Sequence, residues 1–241
     1  MKANFGQRLE EKELMDSGKA SGRELLRTVR NFSYINLLFS RSRSLLRKHV
    51  IKDMDRRFER SFLDLGCGGG DISRWLARYC RRRGLPVSIT CMDVNGEIAG
   101  YARSVSGGYP EIRVIEGSAF GLKDSADSYD YVFANHFLHH FSDREADELI
   151  RIIALKTRRV FLINDLRRSL CAYAGYSIFA GVFLNSGFTV QDGKISIRKG
   201  FLRGDMRKLA QKSGFKGEVS VKTALPGRII LTGKCSKEKH G

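Results

Sequence analysis

The chain has no Cys-x-x-Cys pair. Its five cysteines stand at 67, 80, 91, 171 and 235, an odd number scattered over the whole length. That pattern excludes a disulfide framework and a zinc knuckle, and it fits a reducing cytosol. No apolar stretch follows the amino-terminal Met1-Lys2-Ala3-Asn4-Phe5-Gly6-Gln7-Arg8, so a secretory signal is not expected there. Internal repeats and low-complexity tracts are absent too. Acidic residues are scarce: 26 Asp and Glu face 43 Lys and Arg, a net charge of +17. Such a balance favours polyanions, either nucleic acid or an anionic membrane face. The arginines cluster at 41–47, 56–60, 78–83, 158–159 and 167–168, along the chain rather than in one arm, and no appended RNA-binding module is visible. Contact with such surfaces is therefore expected to be weak, non-specific and salt-sensitive.

Charge is missing altogether from Leu170 to Val190. Asn185-Ser186-Gly187 interrupts that run. The apolar helix before it, about 15 residues, would be roughly 22 Å long, short of a ~30 Å hydrocarbon core. A lid helix over an apolar pocket is expected instead, in a cytoplasmic protein that is at most peripheral to a membrane.

What is present fits one domain with a sizeable core, 241 residues of which 42% are hydrophobic. Residues 1–20 are polar and expected to fray. From Gly22 to about Val50 apolar residues recur at helical spacing: Leu25, Leu26, Val29 and Phe32, then Ile35, Leu37, Leu38 and Phe39, then Leu45 and Leu46. Two or three helices are predicted there. Strands are predicted at 62–65, 87–93, 112–116, 129–134 and 160–165, with helices near 70–82, 96–105 and 143–155. This alternation implies a parallel sheet covered on both faces. Right-handed crossovers put every carboxyl end on one edge, where such sheets bind ligands. Glu218–Thr223 and Arg228–Gly233, separated by Ala-Leu-Pro-Gly, read as a closing antiparallel hairpin.

The most informative stretch is Phe62-Leu-Asp64-Leu-Gly66-Cys67-Gly68-Gly-Gly-Asp71, a strand running into a glycine turn and then a helix. Glycines let a ligand approach the backbone, and the helix start offers free N–H groups. A dinucleotide fingerprint is excluded, since Asp71 or Ser73 stands where its last glycine belongs. No Gly-Lys-Ser/Thr follows, which excludes a Walker loop. Asp64 suits a ligand carrying positive charge rather than a pyrophosphate.

These residues resemble the first motif of the class I S-adenosylmethionine-dependent methyltransferases, hydrophobic-Asp-hydrophobic-Gly-x-Gly-x-Gly. The resemblance implies an α/β fold: a Rossmann-like, mostly parallel sheet with helices on both faces and a C-terminal antiparallel hairpin. Its last strand should insert between the fifth and its predecessor. An N-terminal helical lid at 1–55 and a catalytic domain at 56–241 would form one compact unit. S-adenosyl-L-methionine is the implied cofactor. Asp64, Gly66, Cys67 and Gly68 would hold it, Asp93 would accept the ribose hydroxyls, and Val94 would lie on the adenine face. Asp93 could instead be a plain helix cap. Ser118 stands where the family often has aspartate against the adenine amino group; its hydroxyl or the Ala119 backbone would serve. Asn135 is counted with these contacts.

The fourth strand ends Asn135-His136-Phe-Leu-His139-His140-Phe141. The Pro-Pro-aromatic signature of amino-directed methyltransferases is absent. The Leu-His-His-Phe stretch resembles small-molecule methyltransferases, as do the Asn-Asp-Leu-Arg-Arg string at 164–168 and, loosely, Ile35–Arg41. The subgroup implied acts on phenols, quinones or polyketide-derived compounds. A histidine here can take a proton from a phenol or enol, with His139 or His140 favoured. A structural hydrogen bond is the plain alternative for each. No carboxylate–histidine cluster has recognisable metal-ligand spacing, so no metal is expected. The leading expectation is methyl transfer to oxygen or carbon of a small aromatic, quinone or lipid-like acceptor. An RNA methyltransferase with a ribose or carbon target is the alternative, motivated by the charge. The glycine motif and Asp93 weigh against a scaffold protein without chemistry.

Overall fold

The computed structural model describes residues 5–11, 13, 22–183 and 187–235. Seven strands form one sheet in the order β3-β2-β1-β4-β5-β7-β6. Five run parallel: β1 Arg60–Leu65, β2 Val87–Asp93, β3 Ile112–Glu116, β4 Tyr129–Asn135 and β5 Thr157–Leu166. The hairpin β6 Gly217–Ala224 and β7 Arg228–Cys235 completes the sheet, with β7 antiparallel between β5 and β6. Strand order reverses between β1 and β4. The glycine turn after β1 and the histidine turn after β4 therefore leave the same edge side by side, at the switch point where such sheets open a crevice.

Side-chain alternation sorts each strand between two cores. Leu63 and Leu65 of β1 join Val132, Ala134, Phe161 and Ile163 on one face, against Leu149, Ile150 and Ile153 of α5 Asp143–Lys156. Phe62 joins Ile89, Tyr131, Phe133 and Leu162 on the other, against Ile72, Leu76 and Ala77 of α3 Asp71–Arg81. Burial of each such side chain is worth roughly 1.5–3 kcal/mol. β1 places apolar residues on both faces, Phe62 on one and Leu63 and Leu65 on the other, because it is covered on both. The start of α5 is fixed by a capping box: Ser142 Oγ accepts from Glu145 N–H, and Glu145 accepts from Ser142 N–H at 2.8 Å.

Ahead of β1 lie α1 Gly22–Ile35, a π-helical turn Asn36–Ser40 and α2 Ser42–His49. Leu45 and Leu46 of α2 belong to the core that contains Phe62. α4 Gly96–Val105 links β2 to β3, and Leu25 and Val29 of α1 pack with its Ile98. The uncharged run forms α6 Leu170–Phe183; the end predicted at Leu184, with Asn185 and Ser186, lies outside the described residues. α7 Gly187–Lys199 and α8 Arg203–Lys212 follow. No described helix is long and apolar enough to cross a membrane.

The N-terminal expectation needs correction. Residues 1–4, 12 and 14–20 lie outside the described residues, but 5–11 and 13 are docked rather than frayed. Arg8 donates to the carbonyls of Phe141 (2.9 Å), His139 (3.3 Å) and Lys199 (2.9 Å), and it pairs with Asp143. Arg168 donates to the Phe5 and Gly6 carbonyls at 2.9 and 3.3 Å. Two guanidinium forks thus strap this segment across the carboxyl edge of the sheet.

Candidate active site

A cavity of about 710 Å³ opens along that edge. The glycine turn lines it. Gly66 and Gly68 have φ of 63° and 53°, a region L side chains avoid. A Cβ at Gly66 would strike the Phe137 ring, whereas at Gly68 it would meet nothing within 4 Å. The turn is therefore tight behind and open toward the cavity. Asp93, at the end of β2, accepts from Gly68 N–H through Oδ2 and from Asn95 N–H through Oδ1, both at 3.0 Å. Burial raises its carboxyl pKa, although these two amides oppose the shift. Cap duty belongs to Asn95, whose Oδ1 accepts from Glu97 N–H and Ile98 N–H, leaving Asp93 turned to the cavity it lines. Val94 is 70% exposed at the cavity rim, with Met92 and Ile98 as apolar walls. An open backbone cradle, a carboxylate and an apolar slot suit a nucleoside with free ribose hydroxyls, so the residues present fit the cofactor expected from the motif.

The other expected contacts are placed as follows. Cys67 is buried and lines the cavity. Asp64 also lines it, but its carboxyl accepts from Ser73 Oγ at 2.6 Å and burial pushes its pKa well up. Ser118 Oγ accepts from Phe120 N–H as a helix cap, and Ala119 lies beside it in the lining. Asn135 lines the cavity with its amide engaged: Nδ2 donates to Asn36 Oδ1 at 3.0 Å, and Oδ1 accepts from Asn164 Nδ2 and Ser42 Oγ.

The turn after β4 adds the histidines to the lining. Nδ1 of His139 lies 2.6 Å from Asp165 Oδ1, and Asp165 Oδ2 accepts from the His139 backbone N–H at 3.2 Å. One carboxylate thereby clamps ring and main chain of the same residue. Burial alone would raise the Asp165 pKa, but the His139 ring and its hydrogen bond hold it well below the ordinary carboxylate range. With Nδ1–H donated to Asp165, Nε2 is the free nitrogen. It points to Glu13 Oε1 at 3.5 Å, and His140 Nδ1 and Lys199 Nζ lie 3.8 and 3.7 Å from that same oxygen. Tyr176 of α6 and Ser196 and Ile197 of α7 also line the cavity.

Glu13, His139 and His140 could offer three ligand atoms to a metal ion, all within 4.8 Å of one another. The Lys199 ammonium beside their shared oxygen already supplies a positive charge there, which counts against a divalent cation in this group.

His136 has another role. Its Nε2 lies 2.6 Å from an Arg228 terminal nitrogen. Burial, then the Arg228 charge, hold its pKa well below the ordinary 6.5. His136 is thus neutral when folded and protonated when unfolded below that value. Stability is full above about pH 6.5 and falls with pH by up to about 1.4 kcal/mol per unit below it. His49, also lowered by burial and by neighbouring lysines, acts in the same direction. Urea midpoints at pH 7.5, 6.5 and 5.5 should show the decline, and His136→Gln should flatten it.

Asp165 was within reach of sequence reasoning, because it closes the predicted strand 160–165 as Asp93 closes the one at 87–93. Asp71 was equally visible in the glycine motif; it lines the cavity and receives Asn36 Nδ2 at 3.5 Å. Glu13 carried no signal, lying in a polar segment without periodicity.

A methyltransferase-domain family model matches residues 62–158. No curated protein matches the chain. Solved structures of similar shape include human N-acetylserotonin methyltransferase in complex with S-adenosylmethionine, with TM-score 0.66 and 18% identity over 96% of this chain and 61% of that one. Magnesium protoporphyrin IX methyltransferase from Synechocystis PCC 6803 with bound S-adenosylhomocysteine gives 0.52 and 15%, over 96% and 91%. An O-methyltransferase family protein from Burkholderia thailandensis gives 0.57 and 16%, over 90% of this chain and 59% of its own length. The chain thus spans less than two thirds of the Burkholderia protein.

Proposed function

We propose that this chain, a class I S-adenosylmethionine-dependent methyltransferase in its domain match and sheet order, methylates an oxygen, or alternatively a carbon, of a small aromatic, quinone or lipid-like acceptor. One observation carries the reading: a single cavity is lined both by the Gly66–Gly68 turn with Asp93 and by the Asp165-backed His139. When bound, S-adenosylmethionine supplies an electrophilic methyl group on a sulfonium. Asp93 takes the ribose hydroxyls, Gly66 and Gly68 admit the ligand to the backbone, and Val94, Ser118 and Ala119 frame the adenine. His139 Nε2 accepts the acceptor's hydroxyl proton, and Asp165 keeps the ring in the tautomer that can do so. The chain's remaining task is to hold the acceptor in line and keep water out.

Calorimetry tests the cofactor end. Wild-type protein should bind S-adenosylmethionine and S-adenosylhomocysteine. Asp93→Ala should weaken binding by about 10- to 150-fold, the worth of one charge-assisted hydrogen bond of roughly 1.5–3 kcal/mol. Well-folded wild-type protein that binds neither ligand rules the reading out. A panel of phenols, quinones and total RNA tests the acceptor. The RNA alternative gains no support from the buried, strap-covered histidine end, and methylation of one defined RNA position at physiological salt would reinstate it.

A further inference from the structure

Glu13 is 1% exposed, and its Oε1 accepts no hydrogen bond from the described residues. Yet three nitrogens converge on that atom: His139 Nε2 at 3.5 Å, Lys199 Nζ at 3.7 Å and His140 Nδ1 at 3.8 Å. Each lies just beyond normal hydrogen-bond length. A buried carboxylate oxygen left so is poorly solvated and costly. The ring of nitrogens belongs to α7 and to the turn after β4, which the sheet holds firmly. The carboxylate arrives on the separate strap that Arg8 and Arg168 pin down.

We infer that this ring is the binding site for an ionised oxygen of the acceptor, and that Glu13 Oε1 stands in for it when the acceptor is absent. The inference rests on the function proposed above and narrows its substrate class to acceptors whose oxygen ionises readily, either acidic phenols and enols or carboxylates. Lys199 supplies the positive charge, and His139 Nε2 takes the acceptor's proton on binding, so that the ring faces the ionised oxygen as an N–H donor. In the transfer, the acceptor oxygen's electron pair forms the new O–CH₃ bond. The S–CH₃ bond breaks, and its electrons return to sulfur, leaving a neutral thioether. The product ether or ester has lost its charge and with it the attraction to Lys199, which favours release.

The test uses the full chain with S-adenosylhomocysteine, titrated calorimetrically with 4-nitrophenol, benzoate and benzamide. Both acids should bind at least 10-fold more tightly than the neutral amide. Bound 4-nitrophenol should show the absorbance of its anion at a pH where the free compound is mostly neutral. A preference between the two acids tells a phenolic site from a carboxylate one. Lys199→Met should weaken both acids at least 10-fold and leave benzamide and cofactor affinity unchanged. Glu13→Gln should tighten both acids several-fold by removing the competing charge. Benzamide binding as well as benzoate, no binding of either acid at millimolar concentration, or equal weakening of all three by Lys199→Met overturns the anion site. An unchanged or weakened acid affinity in Glu13→Gln overturns the stand-in role. Cofactor affinity is read in the same experiments, so its loss condemns the methyltransferase reading and its retention confines the failure to this inference.

Discussion

His139→Ala is expected to lower turnover by about 10²–10⁴-fold, the usual worth of a positioned proton acceptor, with cofactor affinity little changed. The ring is held by Asp165, whereas Asp93 and the glycine turn hold each other through the Gly68 N–H. His140→Ala should cost less, because the Asp165 carboxylate clamps the ring of His139. Asp165→Asn provides the sharper control. Its amide can donate to Nδ1, turning the ring so that Nε2 carries the hydrogen and loses its basic lone pair. Turnover should fall by a comparable factor although the packing is nearly unchanged. Asp165 acts through His139, so the distinguishing readout is the pH–rate profile. The acidic limb that reports the base should move or vanish in Asp165→Asn, whereas mere loosening of the fold would lower the rate at every pH alike. Full turnover in both His139→Ala and Asp165→Asn on an identified acceptor would leave positioning alone to explain the catalysis.

The two ends of the site were unequally legible. The cofactor end follows local rules. A buried parallel strand carries apolar residues on both faces, the turn needs glycine at positive φ, and the next strand ends in Asp93, so sequence order alone places all three on one edge. The predicted strands and helices of that half agree with the structure within a few residues. The proposed acceptor side is assembled from distant segments. Glu13, His139, Asp165 and Lys199 come from four separate stretches, and only tertiary packing brings them together. α7 packs on α6 without forming a clean stripe in sequence, whereas α8 was legible, since Leu202, Met206, Leu209 and Ala210 stand at helical spacing. The strap was misread because polar residues usually mean solvent. Here Arg168 donates to its carbonyls, and its own Arg8 donates to carbonyls of the histidine turn and α7 instead. The clustered basic residues are thus partly internal fasteners, and charge counting overstates what remains for polyanions.

Arg228 shows the same point most strongly, and Arg228→Met should be the most destabilising change considered. It opens β7 ahead of Ile229-Ile230-Leu231, and arginine is almost never fully buried unless paired. The structure buries it to 2% exposure. Its guanidinium donates to Asn164 Oδ1 at 3.1 Å and to the Asn164 carbonyl at 3.0 Å, and it meets His136 Nε2 at 2.6 Å. Burial lowers its pKa to about 10, with the Asp165 charge opposing the shift. Methionine would fill much of the volume but strand two acceptors, Asn164 Oδ1 and His136 Nε2, each worth about 1–3 kcal/mol when left unpaired, while the Asn164 carbonyl keeps only the His136 N–H. A loss of about 3–5 kcal/mol is expected, a large part of the roughly 5–15 kcal/mol that holds a domain together. Arg228→Lys should recover only part of it, since a point charge cannot span Asn164 and His136. Urea midpoints at pH 7.5 measure the loss, and stability equal to wild type would show that the network is dispensable. The His136 titration by NMR gives an independent reading. Without the guanidinium, one of the two main causes holding that histidine neutral is gone, so its pKa should climb toward 6.5. His136 begins the turn that carries His139, so a looser knot at Arg228 should also lower turnover through the position of the base rather than through the cofactor.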